Sequence, residues 1–523
     1  MNYSDLFRVT LPETALEITA LLVLIVDLGL LAKAALKMRV AAAALLGVLG
    51  CGAGLWSIGL GRPAGLYVDG SLVLANGGGV AVAQCGILVL TALTLLLLFD
   101  EVFTKHIGEF VAVMLMAAAG GLLVASAQDL LVIFIGLELL SLGLYILTAF
   151  SKASGKSAEA AIKYYLFGGM SAALLLFGFS YLYGLGGSTN LSSIQGNIAA
   201  SGASPLLYVA WIFVVAGLGF KVAAVPFHLW APDAYEGAPA VAAAFIASVS
   251  KVASFALLLT IGGQLVGPGP TSGAREAVEQ TLRNGYQAWQ PLLLILLVVA
   301  AASMVVGNLA ALAQTSVRRL LAYSAIAHAG YILLGIGTER AYRGEGSPFE
   351  FFLSTTGPAH RSTSAVLFYV LTYALTTIGA FGVVSVVERA TGSDRLDAFL
   401  GLHKRNPLLA GVLLILFLSL AGIPPLVGFW AKFNLFAAVL GVHAGQVPFA
   451  LIALAVALSA ISLYYYLQVL KRAYVLRAID ETPIKAHPVT MTVLVGIAAS
   501  VVLLGCFPTL LGDWIESFYQ VMR

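Results

Sequence analysis

A chain of 523 residues that is 60% hydrophobic and only 10% charged, with mean hydropathy +0.96, is excluded from the class of water-soluble globular proteins, in which charged residues make up about 25%. Its length would normally suggest several domains. Here the apolar runs follow one another directly, so the chain reads as one polytopic membrane domain. A net charge of +3 says little by itself, and the placement of the charges says more.

The segment Met1–Pro12 is polar, with one basic residue and no small-residue cleavage site, so the first apolar span is expected to stay in the mature protein. A helix needs about 20 apolar residues to cross a bilayer. That window predicts about fourteen spans, at 14–33, 39–60, 80–99, 108–127, 129–149, 159–183, 204–226, 239–261, 290–313, 318–337, 363–387, 408–440, 446–470 and 489–512. Asp27 weakens the first. The twelfth is too long for a simple crossing and contains Gly422, Pro424 and Pro425. Cys51, Cys85 and Cys506 fall on separate spans. An iron–sulfur cluster takes about four clustered ligands, so none is encoded, and the three read as small buried apolar residues.

The basic residues orient this arrangement. With the N-terminus outside, sixteen of the 28 lysines and arginines fall in inside loops and eight in outside segments. The two-to-one bias favours both termini outside. The remaining four, Lys163, Lys221, Lys251 and Lys432, lie within spans, and all are lysines. Arginine stays charged in proteins, whereas a buried lysine can lose its proton near neutral pH. The longest polar inserts are the outside loops 262–289 and 338–362. GPGPTSG at 267–273 is not GxGxxG and has no strand–turn–helix context. Walker A, HExxH and paired CxxC motifs are missing, so redox chemistry is not expected of this chain.

The stretch from Trp211 to Phe255 carries the strongest functional signal. Two apolar spans each hold one lysine, Lys221 and Lys251. Pro226 interrupts the first, and Pro232 and Pro239 frame a short polar loop. A lysine at bilayer depth costs about 2.5–3.5 kcal/mol on insertion scales, which two spans would not bear without a use for the charge. Lys251 lies too far from both ends of its span to snorkel to an interface. Glu138 sits mid-span, with Ser141 and Tyr145 on the same helical face at i+3 and i+7. It reads either as a fixed ion pair locking two helices or as a switchable partner whose approach would load or release a proton on Lys221.

Lys432 stands seven residues past Pro425. Proline frees backbone carbonyls, which survive at membrane depth only where protein or water satisfies them. Paired helix breaks beside lysines point to inverted repeats and a transport path; the alternative is a pair of kinks that only shape packing. Lys163 reads equally as a local pair with Glu159 at i−4 or as an inside-facing proton entrance. His228 follows the break at Pro226. His328 shares a polar stripe with Ser324 and Tyr331 on an otherwise apolar helix. Each reads as a satisfied core histidine or, given its place among lysine-bearing spans, as a proton relay.

FKVAAVPFHLWAPDAYEGAP, SVSKVASFA, NLAALAQTSVRRLLAYSAIAHAGYILLG and SLAGIPPLVGFWAKF resemble the antiporter-like subunits of respiratory complex I. Among these the resemblance is to the subunit N type of bacterial NADH-quinone oxidoreductase, subunit 2 in mitochondria. It covers roughly residues 105–475, and the opening LPETALEITALLVLIVDL also fits. It implies an all-α fold of fourteen transmembrane helices with helices seven and twelve broken. Helices 1–3 would span 1–104, a first five-helix repeat 105–265, an inverted second repeat 290–470, and helix 14 would lie in 471–523. It implies that Glu138 pairs with Lys221, that Lys251 is the central proton carrier and Lys432 the outward one, and that His228 and His328 lie on the polar axis. It implies that this chain binds no NADH, flavin, iron–sulfur cluster or quinone, which other subunits of the complex hold, and that its partners are neighbouring membrane-arm subunits in the bacterial inner membrane. The inserts at 267–289 and 338–362 are longer than the family pattern.

Two other readings use the same residues. Multi-subunit cation/proton antiporters and hydrogenase-linked ion pumps share the Glu–Lys machinery. A purely structural membrane subunit would tolerate neutral replacements at Lys221, Lys251 and Lys432.

Overall fold

The computed structural model describes residues 3–60, 62–101, 103–202, 204–265, 275–338, 362–442, 446–478 and 481–520. The chain folds as an almost wholly helical bundle. Among the described residues eleven helices are long and apolar enough to cross a membrane, or twelve when a bent pair at the start counts as one.

That pair is α1 (Tyr3–Val9) and α2 (Leu11–Ile25), the latter running on through one π turn (Val26–Leu30). Asp27 lies in the π turn, 2% exposed. Arg39, at the start of α3 (Leu36–Gly59), clasps it through Nε (2.7 Å) and Nη2 (2.6 Å), and the Gly108 N–H donates to it at 3.2 Å. Asp27 is thus a satisfied helix–helix contact. Between α3 and α4 (Gly79–Leu96) the chain forms a hairpin, β1 (Gly65–Val68) with β2 (Ser71–Ala75), where only a loop is expected. Asp69 and Gly70 turn it, both at positive φ; an Asp-Gly pair between apolar runs is a recognised hairpin signal.

The next helices are α5 (Ile107–Ser126), α6 (Leu130–Thr148), α7 (Gly155–Gly186), the short α8 (Leu191–Ser201), α9 (Pro205–Lys221), α10 (Trp230–Gly237) and α11 (Ala240–Leu265). Then come α12 (Arg275–Leu312), α13 (Val317–Thr338), α14 (Ser362–Thr391), one turn α15 (Leu402–Arg405), α16 (Pro407–Ala421), α17 (Val427–Val442), α18 (Gln446–Tyr474), α19 (Pro488–Cys506) and α20 (Thr509–Gln520). Starts follow local chemistry. Asp129, Ser154 and Asn190 cap α6, α7 and α8 by accepting from the first-turn N–H groups. Ser204–Pro205, Asn406–Pro407 and His487–Pro488 pair a cap with a proline already set for the first helical position.

Three expectations shift. α12 starts at Arg275 rather than 290, because REAVEQTL is rich in helix formers and carries the helix past its apolar part. α19 ends at Cys506 rather than 512: Pro508 disfavours helical geometry at Phe507, whose φ and ψ are −128° and 68°. Of the cysteines only Cys51 is buried; Cys85 is intermediate, and Cys506 is exposed at the end of α19, on the outer surface of the bundle. The insert 338–362 falls, from 339 to 361, outside the described residues, as does 266–274 of the other.

The core runs along α11, α13 and α14. The apolar window of α11 is wholly buried, and those of α13 and α14 nearly so, whereas α3, α7, α18 and α19 turn most of theirs outward. One end of the bundle gathers the ion pairs Arg318–Glu388, Arg389–Asp100, Lys163–Asp233 and Arg319–Asp233. This is the basic end.

Candidate functional site

The two broken helices are built alike. α9 stops at Lys221; Ala223 takes φ 57°, and the Val225–Pro226 bond is cis. α16 stops at Ala421; Gly422 takes φ 85°, and the Pro424–Pro425 bond is cis. In both, the left-handed residue stands three before the cis proline. Glycine adopts that conformation freely, while the Ala223 backbone costs about 1–3 kcal/mol that the surrounding packing must offset.

Each break leaves carbonyls with no intrahelical N–H. Trp230 Nε1 donates to the Phe220 carbonyl at 2.9 Å. Lys251, 1% exposed on α11, sends its Nζ to the Val222 carbonyl at 2.5 Å. Lys432 on α17 donates to the carbonyls of Leu420 (3.1 Å) and Ala421 (3.0 Å) and to Ser459 Oγ (2.8 Å). Val222 and Ala421 occupy the same place, one residue before the left-handed turn. Two lysines on different helices therefore satisfy equivalent carbonyls. An ammonium is favoured at a helix C-terminus, and a neutral amine still has N–H groups to donate there. Each break is thus closed by a group that can change its protonation without leaving the carbonyl bare.

Glu138 and Lys221 face each other across α6 and α9, but Ser141 stands between them. Lys221 Nζ donates to Ser141 Oγ at 2.6 Å and lies 4.0 Å from Glu138 Oε1. The pair is close enough to interact and too far for a direct hydrogen bond. Lys221 is buried and Glu138 about one-third exposed on the flank of the bundle. Tyr145 lies one turn along from Ser141, edge-on to Tyr164 at 4.7 Å.

His328 is held from both sides. Its Nδ1 lies 2.8 Å from Tyr369 Oη and its Nε2 3.5 Å from Tyr466 Oη, which in turn shares a hydrogen with Ser324 Oγ at 2.5 Å. Beside it Asn308 Nδ2 donates to Tyr331 Oη (3.1 Å), and Tyr465 Oη donates to Asn308 Oδ1 (3.2 Å). The Tyr331 ring faces Lys432, with its centroid 5.6 Å from Nζ. A small cavity with room for about one water joins His328, Tyr369 and Tyr373 to Ser419 and Leu420, beside the break that Lys432 closes. His228 lies in the other break, 9% exposed, and its Nδ1 has no partner among the described residues.

Lys163 sits apart, 42% exposed at the basic end. It reaches both Glu159 (2.7 Å) and Asp233 of α10 (2.9 Å). Arg319 of α13 joins Asp233 (2.6 Å) and Glu236 (3.0 Å). The Glu159 pair is therefore one strand of a cluster that ties α7, α10 and α13 together. Nearby, burial and the neighbouring Glu388 push the Glu101 carboxyl above its usual range, against a hydrogen bond from Ser385 Oγ at 2.5 Å.

The structure buries Lys221, Lys251, His228, His328 and Lys432 within the bundle, sets Glu138 partly exposed on its flank beside Lys221, and leaves Lys163 at the basic end. Sequence reading missed Tyr369, Tyr466 and Asn308, whose side chains look like ordinary helix-core residues until the facing helix is in place. It also missed Asp233, Glu236 and Arg319, which carried a signal: two carboxylates in the short loop between the spans 204–226 and 239–261, and an arginine at the head of the span 318–337.

Two interrupted helices, each closed on a buried lysine inside an almost wholly helical membrane bundle, define the architecture of transporter-like membrane subunits. A family model described as NADH:quinone oxidoreductase/Mrp antiporter, TM, matches residues 127–265 and 286–462. NADH-quinone oxidoreductase subunit N 2 of Acidobacterium capsulatum is 46% identical over 99% of both chains. NADH-quinone oxidoreductase subunit N 1 of Roseiflexus castenholzii is 40% identical over 82% of this chain and 77% of its own. A chain of respiratory complex I from Thermus thermophilus with bound Aureothin superposes with TM-score 0.72 at 31% identity, covering 96% of this chain and 98% of that one. A chain of the Mrp complex from Dietzia sp. shares the fold, with TM-score 0.74 at 20% identity over 97% of each. The chain therefore belongs to the NADH:quinone oxidoreductase/Mrp antiporter membrane family and, within it, to subunit N of NADH-quinone oxidoreductase.

Proposed function

We propose that this chain moves protons across the membrane as a membrane-arm subunit of NADH-quinone oxidoreductase, driven by electron transfer in other subunits. The observation that carries this reading is the matched pair of helix breaks, in which Lys251 and Lys432 donate to the equivalent carbonyls of Val222 and Ala421. The relay runs from the Glu138–Ser141–Lys221 group to Lys251, through His328 and its tyrosines, to Lys432. His228 serves the first break, and Lys163 belongs to the entrance at the basic end.

The fold that supports this path has fourteen crossings, each interrupted run counting as one. Residues 105–265 and 290–470 form two inverted five-helix repeats, flanked by helices 1–3 in 1–104 and by a last crossing in 471–523. The equal placing of left-handed residue and lysine-held carbonyl in the two breaks supports the repeat. The excess of basic residues supports an orientation with the basic end at the cytoplasmic face of a bacterial inner membrane and both termini on the outer side. The chain itself binds no cofactor. NADH, flavin mononucleotide, iron–sulfur clusters and quinone belong to other subunits of the complex, and neighbouring membrane-arm subunits are its partners.

The test is Lys251→Met in the whole complex, reconstituted into vesicles. Assembly is expected at the wild-type level, with NADH-driven proton pumping and coupled quinone reduction largely lost. Normal coupled turnover would remove the relay.

A further inference from the structure

The hydroxyl of Tyr235 has no part in the path just described. Tyr235 stands on α10, 0% exposed, and its Oη meets no hydrogen-bond partner among the described residues. Leaving such a group unpaired is destabilising, a cost that a phenylalanine of the same shape would avoid. Its ring lies edge-on to Phe381 of α14, with centroids 5.7 Å apart. Its hydroxyl is within electrostatic reach of that of Tyr373.

Phe381 marks a gap. On α14, Tyr373, Thr377, Phe381 and Glu388 follow at spacings of four, four and seven and so share one face. Beyond the gap on the interior side, the Tyr373 ring lies 4.7 Å from that of His328, and both line the small cavity. On the other side Arg318 Nη1 donates to Glu388 (3.2 Å), and its Nη2 donates to the Ala238 carbonyl at the end of α10. The polar stripe is interrupted where the unpartnered hydroxyl of Tyr235 stands.

We propose that the Tyr235 hydroxyl is a proton-relay group that carries protons past Phe381, from the Arg318–Glu388 mouth at the basic end to the His328 cavity. This rests on the proton-translocating reading above. In each transfer the O–H bond releases its proton toward Tyr373 and His328 as the same oxygen takes a new proton from the mouth side. The phenol is neutral before and after, and no electron moves.

Tyr235→Phe keeps the ring and removes only the hydroxyl. In the reconstituted complex, assembled at the wild-type level, proton pumping is expected to fall about tenfold or more, and its solvent deuterium isotope effect to change. Adding Phe381→Tyr to Tyr235→Phe returns a hydroxyl to the gap and is expected to restore much of the loss, which a merely structural role would not allow. Wild-type pumping and isotope effect in Tyr235→Phe, or no recovery in the double variant, overturns the assignment. If Lys251→Met is deficient in the same preparation, the proposed function survives that result; if Lys251→Met is also normal, both fall.

Discussion

Ser141 changes how the Glu138–Lys221 pair is to be understood. With Nζ 2.6 Å from the serine and 4.0 Å from the carboxylate, the lysine is held by a neutral hydroxyl and only steered by the charge. Ser141→Ala removes a hydrogen bond to a charged group, worth about 1.5–3 kcal/mol, and leaves the carboxylate in place. Coupled proton pumping in vesicles is expected to drop about tenfold, less than for Glu138→Gln; an unaffected rate would mean that the pair works without its bridge. Lys251 and Lys432 permit a sharper test. Arginine keeps the charge but does not give up its proton. Lys251→Arg and Lys432→Arg should therefore lose pumping as completely as Lys251→Met. An arginine variant that pumps would show that fixed charge suffices. These lysines were legible in the sequence because a charge inside an apolar run stands out against its neighbours. Tyr369, Tyr466 and Asn308 were not. Their roles depend on which helix faces His328, and side-chain periodicity fixes the face of one helix, not the rotation of the next.

At the scale of elements, the interrupted helices depend on close backbone approach. A Cβ on Gly428 would overlap the Ser419 carbonyl oxygen, so α16 and α17 could not meet at the Gly422–Leu426 break with any larger residue there. Gly428→Ala forces the two halves apart, an overpacking cost of about 1–3 kcal/mol. It is expected to lower the melting temperature of the purified complex and the amount of subunit in the membrane. Gly411→Ala on α16, where a Cβ meets nothing within 4 Å, is the matched control and should be neutral. Equal stability of the two variants would mean that the break tolerates separation. Prolines announced both breaks in the sequence. The left-handed conformation of Ala223 did not announce itself, because nothing local asks an alanine to adopt it. The β1–β2 hairpin carried a readable signal in Asp69–Gly70, overlooked because its strands are short and lie within a loop between two long apolar runs.

For the molecule as a whole, the arrangement of charges makes one claim that the interior chemistry does not. Helix-end ion pairs collect at a single end, where Asp100, Asp233, Glu236 and Glu388 take the guanidinium groups of Arg389, Arg319 and Arg318. In the proposed orientation, which follows the lysine and arginine excess, that end lies inside and the hairpin with α8 outside. Substituted cysteines read this directly. Cys51 is buried and Cys85 half-buried, so Cys506→Ser, which removes the exposed thiol, supplies the background. In it, Lys152→Cys, in the loop before α7, is expected to react with a membrane-impermeant maleimide only in inverted vesicles. Asp69→Cys at the hairpin turn should react only in right-side-out ones. The reverse pattern would turn the subunit over and make the Lys163–Asp233–Arg319 cluster an exit. Labelling of both sites from one side would break the alternation of crossings. Three helices, α4, α5 and α6, separate the two sites, so labelling from opposite faces is the result expected if each of them crosses once.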